Sequence, residues 1–301
     1  MPITKLEQLL DAVKNRPKRR LVAAFANDAH TIEAVNEARE KGIIDATLVG
    51  DEAVIRTRCQ ELGLDPARFV IVHEPVETKA AARAANLVRT GECQILMKGL
   101  VSTDKYMRAI LDKEAGLMEP GAVLSHASVI EVASYPKLIV CGDVAVLPYP
   151  ELKEKIAITN YLIGVAKALG IERPRVAAIA ASEQVLPKVQ ATVDAAILAK
   201  MAERGQIKGA AVDGPMALDV AVDPEAAATK GVGGEVAGQA DCLVFPNIDA
   251  GNVFYKTCSK LAGGEIAAMV VGAKAPCILS SRGDSVLTKL YSIALAALTA
   301  K

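Results

Sequence analysis

Short aliphatic runs alternate with Ala-rich stretches of helical period along most of the chain. LVAAFA (21–26), ATLVGD (46–51), RFVIVHE (68–74) and CQILMKG (93–99) each lead into such a stretch. KLIVCGD (137–143), RVAAIAA (175–181), IKGAAVDG (207–214), DCLVFP (241–246) and EIAAMVVGA (265–273) extend the pattern, and PCILSS (276–281) closes it. Runs this apolar predict strands buried on both faces, and their alternation with helices predicts an α/β fold with a largely parallel sheet. In such folds functional residues gather where strands end and helices begin. VAVLPYPE (144–151) carries two prolines between two series of these units and is the expected domain junction.

Composition narrows the reading. The length of 301 residues allows two domains. Hydrophobic residues make up 51% and aromatics 3%, with no Trp, so the core must be aliphatic and stacking platforms for single-stranded bases are scarce. Lys+Arg and Asp+Glu both number 35; a zero net charge supplies no basic field, and no nucleic-acid partner is expected. Cys59, Cys93, Cys141, Cys242, Cys258 and Cys277 are scattered, with no C-x-x-C pair and no His to complete a zinc site. Reduced structural thiols, a charged N-terminal stretch and no long apolar span predict a cytoplasmic protein that neither enters nor crosses a membrane.

Four segments could carry chemistry. In ILMKGLVSTDKYMRAIL (95–111) a strand ends in Lys98-Gly99, Ser102-Thr103 open a helix, and Arg108 follows on it. Helix amides, hydroxyls and cations together make an anion site; equally, Ser102 or Thr103 is a cap and Arg108 a solvated charge. VFPNIDAGNVFYK (244–256) crowds Asn247, Asp249, Gly251 and Asn252 at a strand end, where a cap needs only one of them. In AKAPCILSSRGDSVLTKL (273–290), Arg282 stands at a helix N-terminus, where the dipole disfavours a cation unless it meets an anion such as phosphate. VDGPMALDVAVD (212–223) spaces Asp213, Asp219 and Asp223 as Mg²⁺ ligands could be spaced, but each has an ordinary turn or cap role, so no metal is expected. Ser125 and His126, in VLSHASV, fit a cleft lining or a hydrogen-bonded place in an apolar strand. Neither a dinucleotide G-x-G-x-x-G nor a Walker A loop is present.

KGLVST, DGPMALD, GEVAGQAD, FPNIDAGNVFYK and SSRGDS, in this order and spacing, resemble the phosphate acetyltransferase and phosphate butyryltransferase family from about residue 90 to the C-terminus. The KGLVST and DGPMALD details look closer to the butyryl branch. The resemblance implies a two-domain, three-layer α/β/α fold similar to isocitrate and isopropylmalate dehydrogenases. The first domain would be discontinuous (1–147 plus 275–301), the second 148–274, with the active site in the interdomain cleft. It implies reversible transfer of a short acyl group, butyryl in preference to acetyl, between coenzyme A (CoA) and phosphate. The partners would be acyl-CoA, phosphate and acyl phosphate, in a homodimer with no bound cofactor or metal. Ser281 and Arg282 match the family's active-site serine and arginine, and Arg108 a family arginine that holds substrate or CoA phosphates. The substrate set is Lys98, Ser102, Thr103, Arg108, Ser125, His126 and Asn252. The acetyltransferases carry a catalytic aspartate six residues beyond the arginine, where Thr288 stands here. Asp284, two residues after Arg282, is then either the base that takes the thiol proton or the cap of the last helix. A metal- and nicotinamide-dependent dehydrogenase of the same fold and a non-catalytic CoA or phosphate sensor are the competing readings.

Overall fold

In the computed structural model, which describes residues 2–279 and 284–300, the apolar runs are strands and the Ala-rich stretches helices. The chain forms α1 (Glu7–Lys14), β1 (Arg19–Ala24), α2 (Ala29–Glu40), β2 (Ile44–Gly50), α3 (Glu52–Glu61), β3 (Val70–His73), α4 (Glu77–Arg89), β4 (Ile95–Lys98) and α5 (Thr103–Leu111). It continues through β5 (Ser125–Glu131), β6 (Ile139–Gly142), α6 (Leu152–Ala168), β7 (Arg175–Ile179), α7 (Gln190–Glu203), β8 (Ala211–Met216), α8 (Leu218–Val222), α9 (Pro224–Thr229), β9 (Cys242–Val244) and α10 (Ile248–Lys256). A short π-helical segment, Thr257–Leu261, extends α10, and β10 (Glu265–Val271), β11 (Cys277–Ile278) and α11 (Val286–Thr299) complete the fold.

Two compact units result: Glu7–Leu124 with the chain from Ala267 onward, and Ser125–Ile266 with the residues up to Leu6. Both units consist of two chain segments; the one we term the discontinuous unit takes back the last strand and helix, and the other, the middle unit, takes the first residues. The boundary near 147/148 moves to 124/125, and that near 274/275 to 266/267. The physical reason for the first move is pairing: β5 lies antiparallel to β6, and β6 parallel to β9, so 125–147 is sheet of the middle unit.

In the discontinuous unit the strand order is β3-β2-β1-β4-β11-β10, parallel except for the β10–β11 pair. Leu21, Val22, Ala23 and Ala24 of β1 and Ile95, Leu96 and Met97 of β4 have no exposed surface, as interior parallel strands require. Asp28 and Asp51 close β1α2 and β2α3 by accepting the amides of Thr31 and Ala53 at 2.9 Å each, satisfying donors the new helix leaves unpaired. Tyr106 of α5 is fully buried, and its hydroxyl lies 3.2 Å from the Leu96 carbonyl and 3.1 Å from that of Ile278, pinning β4 to β11.

In the middle unit the order is β5-β6-β9-β7-β8, with β6, β9, β7 and β8 parallel. A buried ion pair, Lys155 to Asp194 at 2.6 Å, ties α6 to α7, and Gln190 donates to the other Asp194 oxygen at 2.8 Å. All six cysteines are unpaired and buried, and burial pushes each thiol upward, to about 12 at Cys277. They pack as small hydrophobes rather than as reactive groups.

Candidate active site

Each unit gathers candidate residues at the carboxyl ends of its parallel strands. In the discontinuous unit β4 ends in Lys98, buried to 3% exposure, with Nζ 3.4 Å from the Gly99 carbonyl oxygen. Gly99 is obligatory: a Cβ there would stand 2.6 Å from the Phe25 carbonyl oxygen, because the β1 and β4 ends hydrogen-bond side by side. The next loop is held by a residue the sequence reading passed over. Glu77, at the start of α4, accepts the Ser102 amide at 2.6 Å and pairs with the Lys105 ammonium. The Lys105 hydrogen bond first, and the Ser102 amide second, hold the Glu77 carboxyl below the usual carboxylate range. Ser102 occupies the N-cap of α5 without a capping side-chain bond, and its hydroxyl also donates to the Glu77 carboxyl. Thr103 is the first residue of α5 and exposed. Arg108 is 79% exposed and paired with Asp104 at 3.1 Å on the outer face of α5, apart from the strand-end group.

Register brings the last segment to the same place. Ile278 of β11 lies beside Met97 of β4, so the chain leaves β11 at the level of Lys98. Ser281 and Arg282 lie outside the described residues. Beyond them, Ser285 caps α11: its Oγ accepts the Thr288 amide at 3.0 Å and donates to Thr288 Oγ1 at 3.1 Å. The cap is therefore Ser285, one residue past Asp284, and Thr288 completes the capping turn. Lys289, buried to 3% exposure, donates from Nζ to the Asp284 carbonyl at 2.8 Å and fixes the backbone at that residue.

In the middle unit the organiser is Asp143, 2% exposed at the end of β6. Its Oδ2 accepts the Ser125 hydroxyl at 2.8 Å, the His126 amide at 3.0 Å and the Leu147 amide at 3.3 Å. Its Oδ1 accepts the Ala145 and Val146 amides at 2.7 and 2.8 Å. That bonding turns the chain sharply after β6 and ties β5 to the turn. Ser128 Oγ lies 3.3 Å from His126 Nδ1, so this buried imidazole is held by its own strand. The neighbouring strand end is capped by Asn247, whose Oδ1 accepts the Ala250 amide at 3.0 Å. Gly251 lets α10 abut the turn, since a Cβ there would come within 2.3 Å of the Asp143 carbonyl oxygen. Asn252 then donates from Nδ2 to the Val144 carbonyl at 3.0 Å. Ser125, His126 and Asn252 are thus brought together around Asp143 and Val144. The sequence carried a signal for Asp143, a Gly-Asp pair ending an apolar run, of the kind that marked Lys98-Gly99.

The aspartates of 212–223 have other work: Asp213 Oδ1 accepts the Gly214 amide at 2.8 Å, Asp219 pairs with Lys230 at 2.9 Å, and Asp223 caps α9 through the Glu225 amide at 2.9 Å. Among the described residues no group of three or more His, Cys, Asp or Glu gathers as a metal site, and no helix is long and apolar enough to cross a membrane.

Comparison with known proteins agrees with this architecture. Residues 67–297 match the family described as "Phosphate acetyl/butaryl transferase". A phosphate butyryltransferase of Clostridium acetobutylicum is 47% identical over 298 residues, covering 99% of both chains. A phosphate acetyltransferase of Thermotoga maritima is 41% identical over 295 residues, covering 98% of this chain and 99% of the relative. Among solved structures, a branched-chain phosphotransacylase from Enterococcus faecalis superposes with a TM-score of 0.81 at 29% identity, covering 93% of this chain and 98% of that one. A 4-hydroxythreonine-4-phosphate dehydrogenase from Salmonella typhimurium, at 17% identity and a TM-score of 0.53, shares the fold alone.

Proposed function

This chain belongs to the phosphate acetyl/butyryl transferase family and is an acyltransferase that moves a short acyl group reversibly between CoA and phosphate; we propose that butyryl is the group it handles best. The observation that carries the butyryl reading is the end-to-end match to the relative named a phosphate butyryltransferase, closer than that to the Thermotoga acetyltransferase. The KGLVST and DGPMALD details point the same way. The protein works as a cytoplasmic homodimer without a bound cofactor or metal. Free, buried cysteines suit a reducing compartment.

Toward thioester, the thiolate sulfur of CoA bonds to the acyl carbonyl carbon. The carbon–oxygen bond to phosphate breaks, and its electron pair leaves with phosphate. A thiol with a pKa of about 8.5 is only a few per cent ionised at neutral pH, so a base that takes its proton raises the rate. Asp284 serves as that base, a reading supported by Ser285, rather than Asp284, capping α11. Lys98 and the Ser102-Thr103 start of α5 hold the phosphoryl group, in keeping with a buried cation beside a helix N-terminus. Arg282 grips the same group with its planar fork and Ser281 donates to it. Ser125, His126 and Asn252 line the acyl and CoA side, their positions set by Asp143. Arg108, exposed on α5, meets the outer phosphates of CoA.

The test is kcat/KM for butyryl-CoA and acetyl-CoA with phosphate, followed by thiol release. Butyryl-CoA at least equals acetyl-CoA; a strong acetyl preference overturns the butyryl reading and leaves the family intact. Arg282→Lys keeps the charge but not the fork, and should lower kcat by at least about 10²-fold with the fold unchanged.

A further inference from the structure

A cavity of the middle unit opens beside the first residues of β6 and β7. It encloses about 770 Å³ and is lined by Val132, Ile139, Leu218, Val222, Phe254 and Cys258, with Arg175 among them. Arg175 and Ile139 open β7 and β6, whereas Asp143 and Asn247 follow the ends of β6 and β9. A strand of four or five residues, about 13–17 Å, therefore separates Arg175 from the strand ends that carry Asp143 and Asn247, while Phe254, two residues from Asn252 on α10, forms a wall of the cavity nearer that end.

Arg175 is the anomaly. Its Nε is sealed from solvent without a hydrogen-bond partner, and among the described residues its guanidinium makes neither a hydrogen bond nor an ion pair. The neighbouring groups are committed elsewhere. Asp241 accepts the Arg175 backbone amide at 2.8 Å with one oxygen and the Lys137 ammonium with the other. Lys137 also donates to the Gln239 carbonyl at 2.7 Å. Asp223, on the rim, caps α9. Tyr135 donates to the Ala240 carbonyl at 2.7 Å, and burial pushes its hydroxyl up to about 12, so it stays neutral. Burial likewise keeps the Cys258 thiol protonated. A guanidinium half withdrawn from water and facing an apolar wall wants a planar anion, and an unsatisfied polar group of this kind marks a missing partner. The lining carries two cations, Arg175 and Lys137, of which Lys137 is already paired with Asp241; the size and the apolar wall facing the one unpaired cation are those of a small-molecule site.

We propose that this cavity binds an amphipathic monocarboxylate, with the carboxylate on Arg175 and the hydrocarbon body against Leu218, Val222 and Phe254. None of the residues given a role in acyl transfer lines this cavity, and the proposal does not rest on those roles.

The probe is octanoate, titrated calorimetrically into the protein saturated with butyryl-CoA and phosphate, with 1-octanol and inorganic phosphate as controls. Octanoate should bind once per chain, octanol at least tenfold more weakly, and phosphate should not compete. Arg175→Gln should weaken octanoate at least tenfold, leave octanol unchanged and leave kcat with butyryl-CoA unchanged. Val222→Glu, which puts a charge in the apolar wall, should abolish both probes and serves as the second variant if Arg175→Gln does not fold. No octanoate binding by the saturated wild type overturns the proposal, as does equal octanoate affinity in folded Arg175→Gln. So does a shift of Arg175→Gln to a smaller species in sedimentation, since the cavity would then be an interface between copies of this chain.

Discussion

Both strand-end clusters are organised by a carboxylate, and they are organised differently. In the middle unit Asp143 is enclosed and bonded by the Ser125 hydroxyl and by the amides of His126, Ala145, Val146 and Leu147. In the discontinuous unit Glu77 is 26% exposed and bonded by the Ser102 amide and the partly exposed Lys105 ammonium. The enclosed carboxylate bears a desolvation cost that its hydrogen bonds must offset, and in return fixes a turn and two side chains in one geometry. The open one costs little and holds its loop through an ion pair that water and salt weaken. The contrast separates an enclosed turn around Ser125, His126 and Asn252 from a partly open loop that follows the buried Lys98.

The sharpest test asks whether chemistry resides on the side of the open carboxylate. Asp284→Asn should lower kcat about 10²–10⁴-fold, the usual worth of a positioned base, with residual activity rising with pH as free thiolate becomes available. Because Ser285 does the capping, the same change should leave the unfolding midpoint in urea where it was. A wild-type kcat across pH 6–9 would falsify the base assignment. Asp143→Ala should act in the opposite order, on stability first. It strands a buried hydroxyl and several amides, and loss of hydrogen bonds to a buried charge places the cost at about 3–5 kcal/mol in denaturant unfolding. A loss below about 1 kcal/mol would mean that the turn holds itself and that the enclosed carboxylate is not its organiser.

These residues also mark how far the sequence could be read. Alternating apolar and Ala-rich stretches sufficed for the α/β class, because a buried parallel strand must be apolar throughout and says so locally. Lys98, Ser102 and Asn252 were legible for a related reason: polar residues directly after an apolar run sit where strands end. The domain boundary was not. The prolines of 144–151 mark a real turn, but β5 and β6 belong to the middle unit through pairing with β9, a contact 100 residues away. Glu77 was invisible for the same reason, since its partner Ser102 is 25 residues distant and nothing in VETKAAARAAN distinguishes it. Which residue caps α11 stayed open, because Asp284 and Ser285 are both good caps and only backbone geometry chooses between them.

That choice can be checked directly. Ser285→Ala removes the acceptor for the Thr288 amide and should cost about 1 kcal/mol, with kcat nearly unchanged. If Ser285→Ala is neutral and Asp284→Asn destabilises instead, the cap is Asp284 and its role as base loses support.

The smallest effect tests the open carboxylate. Glu77→Gln keeps an oxygen for the Ser102 amide and removes only the charge facing Lys105, so it isolates the ion pair. Both partners are partly exposed, and screening limits the loss to a few tenths of a kcal/mol at neutral pH. The sign with pH follows from the lowered Glu77 carboxyl. A group depressed in the folded state stabilises above its unfolded value, about 4.3 for Glu, and that contribution disappears as the pH falls through the lower folded value. The stability gap between wild type and Glu77→Gln should therefore be constant from pH 6 to 8 and close as the pH drops below about 4. It should also narrow in 1 M salt, where the screening length shrinks to about 3 Å. A gap that persists at pH 3 or in high salt would show Glu77 acting by packing rather than by charge, and the two organising carboxylates would then work alike.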